Sequence, residues 1–235
     1  EEKFERDLEN AGYKFEKTKT GYYVSMNPLL KKLFIEGRIT YQSLTSTYAA
    51  LALDVKDGQN VLDVCSAPGG KAIFVAEKNP TANVVACDIH PHRVELIGAY
   101  ARRMHVKNVT PTLFDGTSFN KEWAGHFDRV LCDVPCSAMG VVKKQPDVLL
   151  NRNENDITAL KKVQYSILDN AKNYVKRGGL LVYSTCTIFK EENDDNVEEF
   201  LKNNNDFEKY PSEFDGQYLP CDTHDGFFIR RLRRK

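Results

Sequence analysis

Five apolar runs separated by helix-period segments constrain this chain more than any other feature. The runs are residues 60–65, 83–88, 109–114, 127–133 and 179–184. They are apolar throughout, with no in–out alternation, which marks strands covered on both faces. Between them, residues 47–53, 70–78, 92–105, 156–175 and 193–203 carry helical spacing, with stops such as Asn79-Pro80 and Arg177-Gly178-Gly179. Repeated strand–helix alternation predicts an α/β fold with a parallel, doubly wound sheet. Residues 227–232 predict a last strand, antiparallel at an edge.

Such sheets bind ligands at the carboxyl ends of their strands. The chemically unusual residues fall there: residues 65–71, Asp88, Asp115, residues 133–136 and residues 184–186. Five strand ends converging on one side say more than any single motif.

Upstream, Phe4, Leu8 and Ala11 predict a short helix ending at Gly12, residues 13–26 predict paired strands, and Asn27-Pro28 breaks them. Residues 1–45 are too few for an independent core. They read as a small α/β subdomain, truncated and RNA-binding, packed on a catalytic domain of residues 46–235. Glu1 opens a charged stretch with no targeting character, so the chain reads as starting inside a longer protein.

Lys plus Arg and Asp plus Glu are 33 each, so the net charge is zero and a globally basic nucleic-acid binder is excluded. No apolar run is long enough to span a membrane. The six cysteines form no C-x-x-C pair, which fits free thiols in a reducing, cytoplasmic setting. His90 and His92 lack a surrounding ligand set, so no metal is expected.

Ser66-Ala67-Pro68-Gly69-Gly70-Lys71 joins the first strand to its helix. Glycines there let backbone N–H groups approach a ligand, and a helix N-terminus favours negative charge. A P-loop would need glycine at position 65 and Ser or Thr at 72, where the chain has Cys65 and Ala72. The dinucleotide pattern G-x-G-x-x-G is also absent. The nucleoside cofactor with a carboxylate and a ribose that remains is S-adenosyl-L-methionine. Asp88 suits its ribose hydroxyls, and Asp115 its adenine amino group. The plainer alternative is that Gly69-Gly70 only makes a tight turn.

Cys65, Cys87 and Cys132 lie in predicted strands and read as core thiols. Cys136 and Cys186 follow strand ends, where a thiol reaches a pocket. Two thiols beside a methyl donor suggest chemistry at carbon 5 of a pyrimidine. A thiolate added to carbon 6 makes carbon 5 nucleophilic, with a proton or hydrogen bond needed at nitrogen 3. Asp133 stands where it can supply that contact, and a second thiol can assist the final elimination.

The stretches Asp63-Val64-Cys65-Ser66-Ala67-Pro68-Gly69-Gly70-Lys71, Asp133-Val134-Pro135-Cys136 and Ser184-Thr185-Cys186 together resemble the RNA cytosine-5 methyltransferases of the Nop2/Sun group, from about residue 20 onward. Asn27-Pro28, Arg152 and the ending Asp225-Gly226-Phe227-Phe228 resemble its bacterial Sun (RsmB) branch, which acts on small-subunit ribosomal RNA. The resemblance implies a Rossmann-like, S-adenosylmethionine-dependent methyltransferase sheet. It implies Cys186 as nucleophile and Cys136 as the residue aiding product release. It implies donor contacts from Cys65, Ser66, Ala67, Pro68, Gly69, Gly70, Lys71, Asp88, Arg93, Asp115 and Asp133, with Lys71 reaching both donor and base. Gln42-Ser43 departs from the family's Gln-Asp. Relatives also carry an N-terminal NusB-like domain that this sequence lacks.

Rival readings are a DNA cytosine-5 methyltransferase, which would not need Cys186; the same chemistry on transfer RNA; and a catalytically silent RNA-binding assembly factor, which would not need both thiols. Candidate phosphate contacts are Lys31, Lys32, Arg38, Lys143, Lys144 and Arg152. The tail, with five basic residues among its last six, reads equally as an RNA grip or as a charge-blunted edge strand. The protein is expected to act as a monomer.

Overall fold

The computed structural model describes residues 2–150 and 154–235; Arg152 lies outside the described residues. The N-terminal piece consists of α1 (Glu2–Asn10), a two-stranded antiparallel sheet of β1 (Phe15–Lys17) and β2 (Tyr22–Val24), and α2 (Pro28–Ile35). Asn27 caps α2, its side chain accepting from Leu30 N–H at 2.9 Å, and Pro28 occupies the first turn, where no amide hydrogen is needed.

The large sheet is built from β3 (Asn60–Asp63), β4 (Asn83–Asp88), β5 (Val109–Leu113), β6 (Phe127–Asp133), β7 (Val175–Thr185), β8 (Phe207–Lys209), β9 (Gly216–Tyr218) and β10 (Phe227–Arg234). Its order is β5-β4-β3-β6-β7-β10-β8, with β9 also on β10. The first five strands in that order run parallel, and β10 is antiparallel to β7, β8 and β9. From β3 the chain steps outward through β4 to β5, then returns to β6 on the other side. The crevice between the ends of β3 and β6 is therefore the topological switch point, where such sheets bind ligands.

Successive strand residues feed opposite faces. Val61, Val84, Leu131 and Val182 pack under α3 (Leu44–Ala52), α4 (Gly70–Lys78) and α5 (Pro91–Arg103). Leu62, Val130, Leu181 and Tyr183 pack under α6 (Glu154–Ala171) and α7 (Asp194–Asn203). Both faces being dry explains why the strands show no polar alternation.

Two expectations need correction. The last strand is not at an edge, because β8 and β9 pair with its far side. The turn at Arg177-Gly178-Gly179 does not precede the fifth parallel strand but lies within it. The register slips there, with Phe127 opposite Val175 and Arg129 opposite Leu180, and Gly178 takes φ +76°.

Candidate active site

A cavity of about 350 Å³ opens at the switch point. Its lining includes Cys65, Ala67, Asp88, Arg93, Asp115, Asp133, Cys136 and Cys186. The remaining loop residues, Ser66, Pro68, Gly69, Gly70 and Lys71, stand outside that lining. Gly69, at φ +107°, caps α4, and a side chain there would press on Ile97 at 3.3 Å. Ser66 is buried, and its hydroxyl, which acts on Asp63, has no hydrogen-bond partner of normal geometry among the described residues.

Asp88 ends β4. One oxygen accepts from His90 N–H at 3.0 Å, and the other pairs with Arg93 at 2.9 Å. Arg93 also donates to Ala67 O at 3.0 Å, tying the loop to the carboxylate. Asp115 accepts from the amide and hydroxyl of Thr117 at 2.9 and 2.7 Å, bonds that hold its carboxyl below the usual range. Two fixed carboxylates and a cavity within the range of small-molecule sites fit the nucleoside methyl donor expected from the sequence.

Asp133, at the end of β6, accepts from Lys71 Nζ and from Ser184 Oγ, each at 2.7 Å. Burial works against the Lys71 ammonium, but the charge and hydrogen bond of Asp133 outweigh it and hold its pKa above the ordinary lysine value. Asp63, behind the loop, is buried, with no hydrogen bond of normal geometry among the described residues. Burial raises its carboxyl to about 7, and the nearby Asp133 adds to the effect.

The two thiols meet. Cys136 Sγ and Cys186 Sγ are 3.1 Å apart, and Cys186 N–H donates to Cys136 Sγ at 3.3 Å. Their hydrogen bond, with burial, holds Cys136 well above the ordinary thiol value, and the same bond holds Cys186 below it. The turns are pinned through Gly140, whose N–H donates to Cys186 O at 2.9 Å and whose carbonyl accepts from Gly226 N–H at 2.8 Å. Cys87 and Cys132 are core thiols as expected, whereas Cys65 lies past the end of β3 and lines the cavity.

Sequence reasoning missed Phe114, Val163 and Ile167 in the cavity wall, and Glu192 and Gln164 beneath the cysteine turns. Val163 and Ile167 are four apart on one helix face, a signal of burial but not of what they cover. Ser43, at the Gln-Asp departure, makes no side-chain cap of α3; its hydroxyl donates to Asp225 at 3.0 Å.

The expected phosphate contacts are unequal. Lys143 and Lys144 pair with Asp222 and Asp225, at 2.9 and 2.6 Å. Among the described residues, Lys32 and Arg38 make only long pairs, to Glu36 and Asp7, at 3.8 to 3.9 Å. The tail arginines are engaged inside the fold: Arg230 with Asp194, Arg233 with Glu208 and Arg234 with Asp206. Among the described residues, no helix is long and apolar enough to cross a membrane.

The family model described as 16S rRNA methyltransferase RsmB/F matches residues 50–233. Ribosomal RNA small subunit methyltransferase B of Pasteurella multocida is 36% identical over 216 residues, covering 86% of this chain and 48% of that protein. The protein of the same name from Salmonella paratyphi B is 37% identical over 209 residues, covering 86% and 48%. The chain thus spans about half the length of these curated relatives. Among solved structures, NSun6 from Pyrococcus horikoshii with SFG superposes with a TM-score of 0.76 at 26% identity, covering 91% of this chain and 59% of that one.

Proposed function

The chain belongs to the RsmB/F family of 16S rRNA methyltransferases, and from that premise we propose that it transfers a methyl group to carbon 5 of a cytosine in small-subunit ribosomal RNA through a covalent cysteine–cytosine adduct. The observation that carries the reading is the 3.1 Å approach of Cys136 and Cys186 at the rim of the donor cavity. A silent RNA-binding factor has no use for two thiols held in that way.

S-adenosylmethionine, when bound, supplies the sulfonium methyl that carbon 5 accepts. Asp88 and Asp115 would hold its hydroxyl and amino groups, and the residues 65–70 turn would hold its amino-acid end. The Cys186 thiolate adds to carbon 6 of the cytosine, forming a carbon–sulfur bond and moving electron density toward nitrogen 3. The proton needed there comes from the Lys71 ammonium through Asp133: as Asp133 gives a proton to nitrogen 3 it takes one from Lys71 Nζ, 2.7 Å away. Cys136, after its own thiol proton has passed to solvent, takes the proton from carbon 5 as a thiolate; the electron pair left behind restores the ring double bond and expels Cys186 as a thiolate, and nitrogen 3 returns its proton to the Lys71–Asp133 pair. The target base must leave any stack to reach the sulfur. Residues 1–45 contribute an RNA-binding subdomain, and the protein acts as a cytoplasmic monomer.

The test is a denaturing gel of each cysteine variant with a small-subunit rRNA fragment and S-adenosylmethionine. Cys136→Ala accumulates a protein–RNA adduct, and Cys186→Ala forms none. An adduct in Cys186→Ala alone would reverse the roles. No adduct with either variant, and no 5-methylcytosine with the wild type, would remove the reading.

A further inference from the structure

Beneath the cysteine turns lies a polar cluster that the reaction scheme leaves unused. Glu192 is fully buried, in a single helical turn between β7 and α7. Its Oε1 accepts from Ser137 N–H at 2.9 Å and from Gln164 Nε2 at 2.8 Å, and its Oε2 accepts from Ser137 Oγ at 2.5 Å. Gln164 Nε2 also donates to Pro135 O at 2.9 Å, so the turn carrying Cys136 is held on both sides of the cysteine. The hydroxyls of Ser137 and Thr187, each one residue past its cysteine, are 2.8 Å apart and link the two turns. No cation pairs with Glu192 among the described residues. A buried carboxyl without a cation is costly, and three donors aimed at it offset that cost.

The two thiols therefore have different surroundings. Cys186 lines the cavity with Asp133, whose charge opposes that of Lys71 there, while the turn carrying Cys136 rests on Glu192, whose charge acts on Cys136 and on Tyr183 of β7. We propose that Glu192 is a positioning residue that makes the thiols unequal: it seats Cys136 over a buried carboxyl as the hydrogen-bond donor and leaves Cys186, on the lysine side, as the nucleophilic sulfur. The purpose of this asymmetry rests on the methyl-transfer reading; its geometry does not. The directions agree, since the hydrogen bond to Cys186 and burial raise Cys136, with the Glu192 charge adding to them.

Glu192→Gln separates charge from shape. The amide oxygen keeps the Ser137 and Gln164 donors, and the Ser137 hydroxyl turns to accept from the amide while donating to Thr187. Gln164→Leu does the converse, loosening the turns but leaving the carboxyl in place.

The test is alkylation of the RNA-free protein by iodoacetamide from pH 6 to 10, read peptide by peptide in a mass spectrometer. Accessibility sets the rate of labelling, whereas its onset with pH reports ionisation. In the wild type and in Gln164→Leu, Cys186 gains reactivity first. In Glu192→Gln the Cys136-to-Cys186 labelling ratio at neutral pH rises by roughly tenfold, the ratio that matches a one-unit change in relative acidity. A Glu192→Gln profile identical to wild type, or the same change in Gln164→Leu, overturns the assignment. If Glu192→Gln does not fold, the wild type decides, because a common onset for both thiols also overturns it. If the thiols are ordered but the wild type forms no RNA adduct, the methyl-transfer reading fails and the Glu192 role stands.

Discussion

Lys71 Nζ and Asp133 Oδ2 lie 2.7 Å apart, joining α4 to the end of β6 across the switch point, with both side chains largely withdrawn from water. Removing one partner of such a pair leaves the other charge desolvated. Asp133→Asn should therefore destabilise the fold by about 3 kcal/mol, the low end for a buried pair because this one borders a cavity. It should also lower single-turnover methylation by roughly 10²–10³-fold. Urea melts and quench-flow assays check both; an unchanged melt would mean that the pair is solvated.

The Asp88 carboxylate is fixed by His90 and Arg93 before any ligand arrives. Asp88→Ala should weaken S-adenosylmethionine binding more than about tenfold, the loss of a charge-assisted hydrogen bond. Cys186→Ala and Cys136→Ala should bind the donor as wild type does. Calorimetry decides, and equal affinity in Asp88→Ala would remove it from the ribose site.

How much of this was legible in the sequence depends on where each signal is stored. Strands β4 and β6 and helix α4 match their expected bounds, because apolar runs closed by Asp88 and Asp133, and a helix between Gly69 and Pro80, carry their own punctuation. β8 and β9 are three residues each and exist only as partners of β10, so nothing local announces them. The catalytic candidates stood out because cysteines and acids at strand ends are conspicuous. Glu192 and Gln164 did not, since each looks like one more polar residue in a solvent-facing helical stretch. Only the packing of the 190–192 turn and α6 against the cysteine turns shows them to be buried.

Gly140 sits between two carbonyls. A Cβ there would lie 2.2 Å from Gly226 O and 2.7 Å from Cys186 O, both backbone atoms that cannot swing aside. Gly140→Ala should push the cysteine turns apart, lowering stability by about 1–3 kcal/mol and catalytic rate at least tenfold, with donor affinity preserved. Wild-type turnover in this variant would show that the two turns adjust independently.

Asp63 sets a pH dependence of stability. Its folded value of about 7 exceeds the ordinary aspartate value of 3.8, so the folded state holds a proton that the unfolded chain gives up. This contribution is fully present below pH ~4, declines as pH rises to ~7, and stays lost above that. Asp63→Asn mimics the protonated acid. It should match wild-type stability near pH ~4 and exceed it near pH ~8 by roughly 3–4 kcal/mol. Denaturant melts at the two pH values test this, and equal differences at both would place the titration elsewhere.

The zero net charge is a cancellation inside the fold. Residues 190–215 carry ten acids against three lysines, and the basic tail runs alongside them. Arg230, Arg233 and Arg234 meet Asp194, Glu208 and Asp206, and Arg231 N–H donates to Asp215 at 2.8 Å. The charges of Arg230, Arg233 and Arg234 are spent on holding β10 to α7 and to the β8 segment. Arg233→Gln with Arg234→Gln should therefore lower stability by about 1–2 kcal/mol and leave the salt dependence of RNA binding unchanged. Lys31→Gln with Lys32→Gln and Arg38→Gln, on the N-terminal piece, should reduce the slope of log affinity against log salt by about one for each phosphate no longer neutralised. Filter binding over roughly 50 to 200 mM salt, the range in which counterion release dominates, separates the two sets of variants. A slope that falls with the tail variants and not with the N-terminal ones would return the RNA grip to the tail.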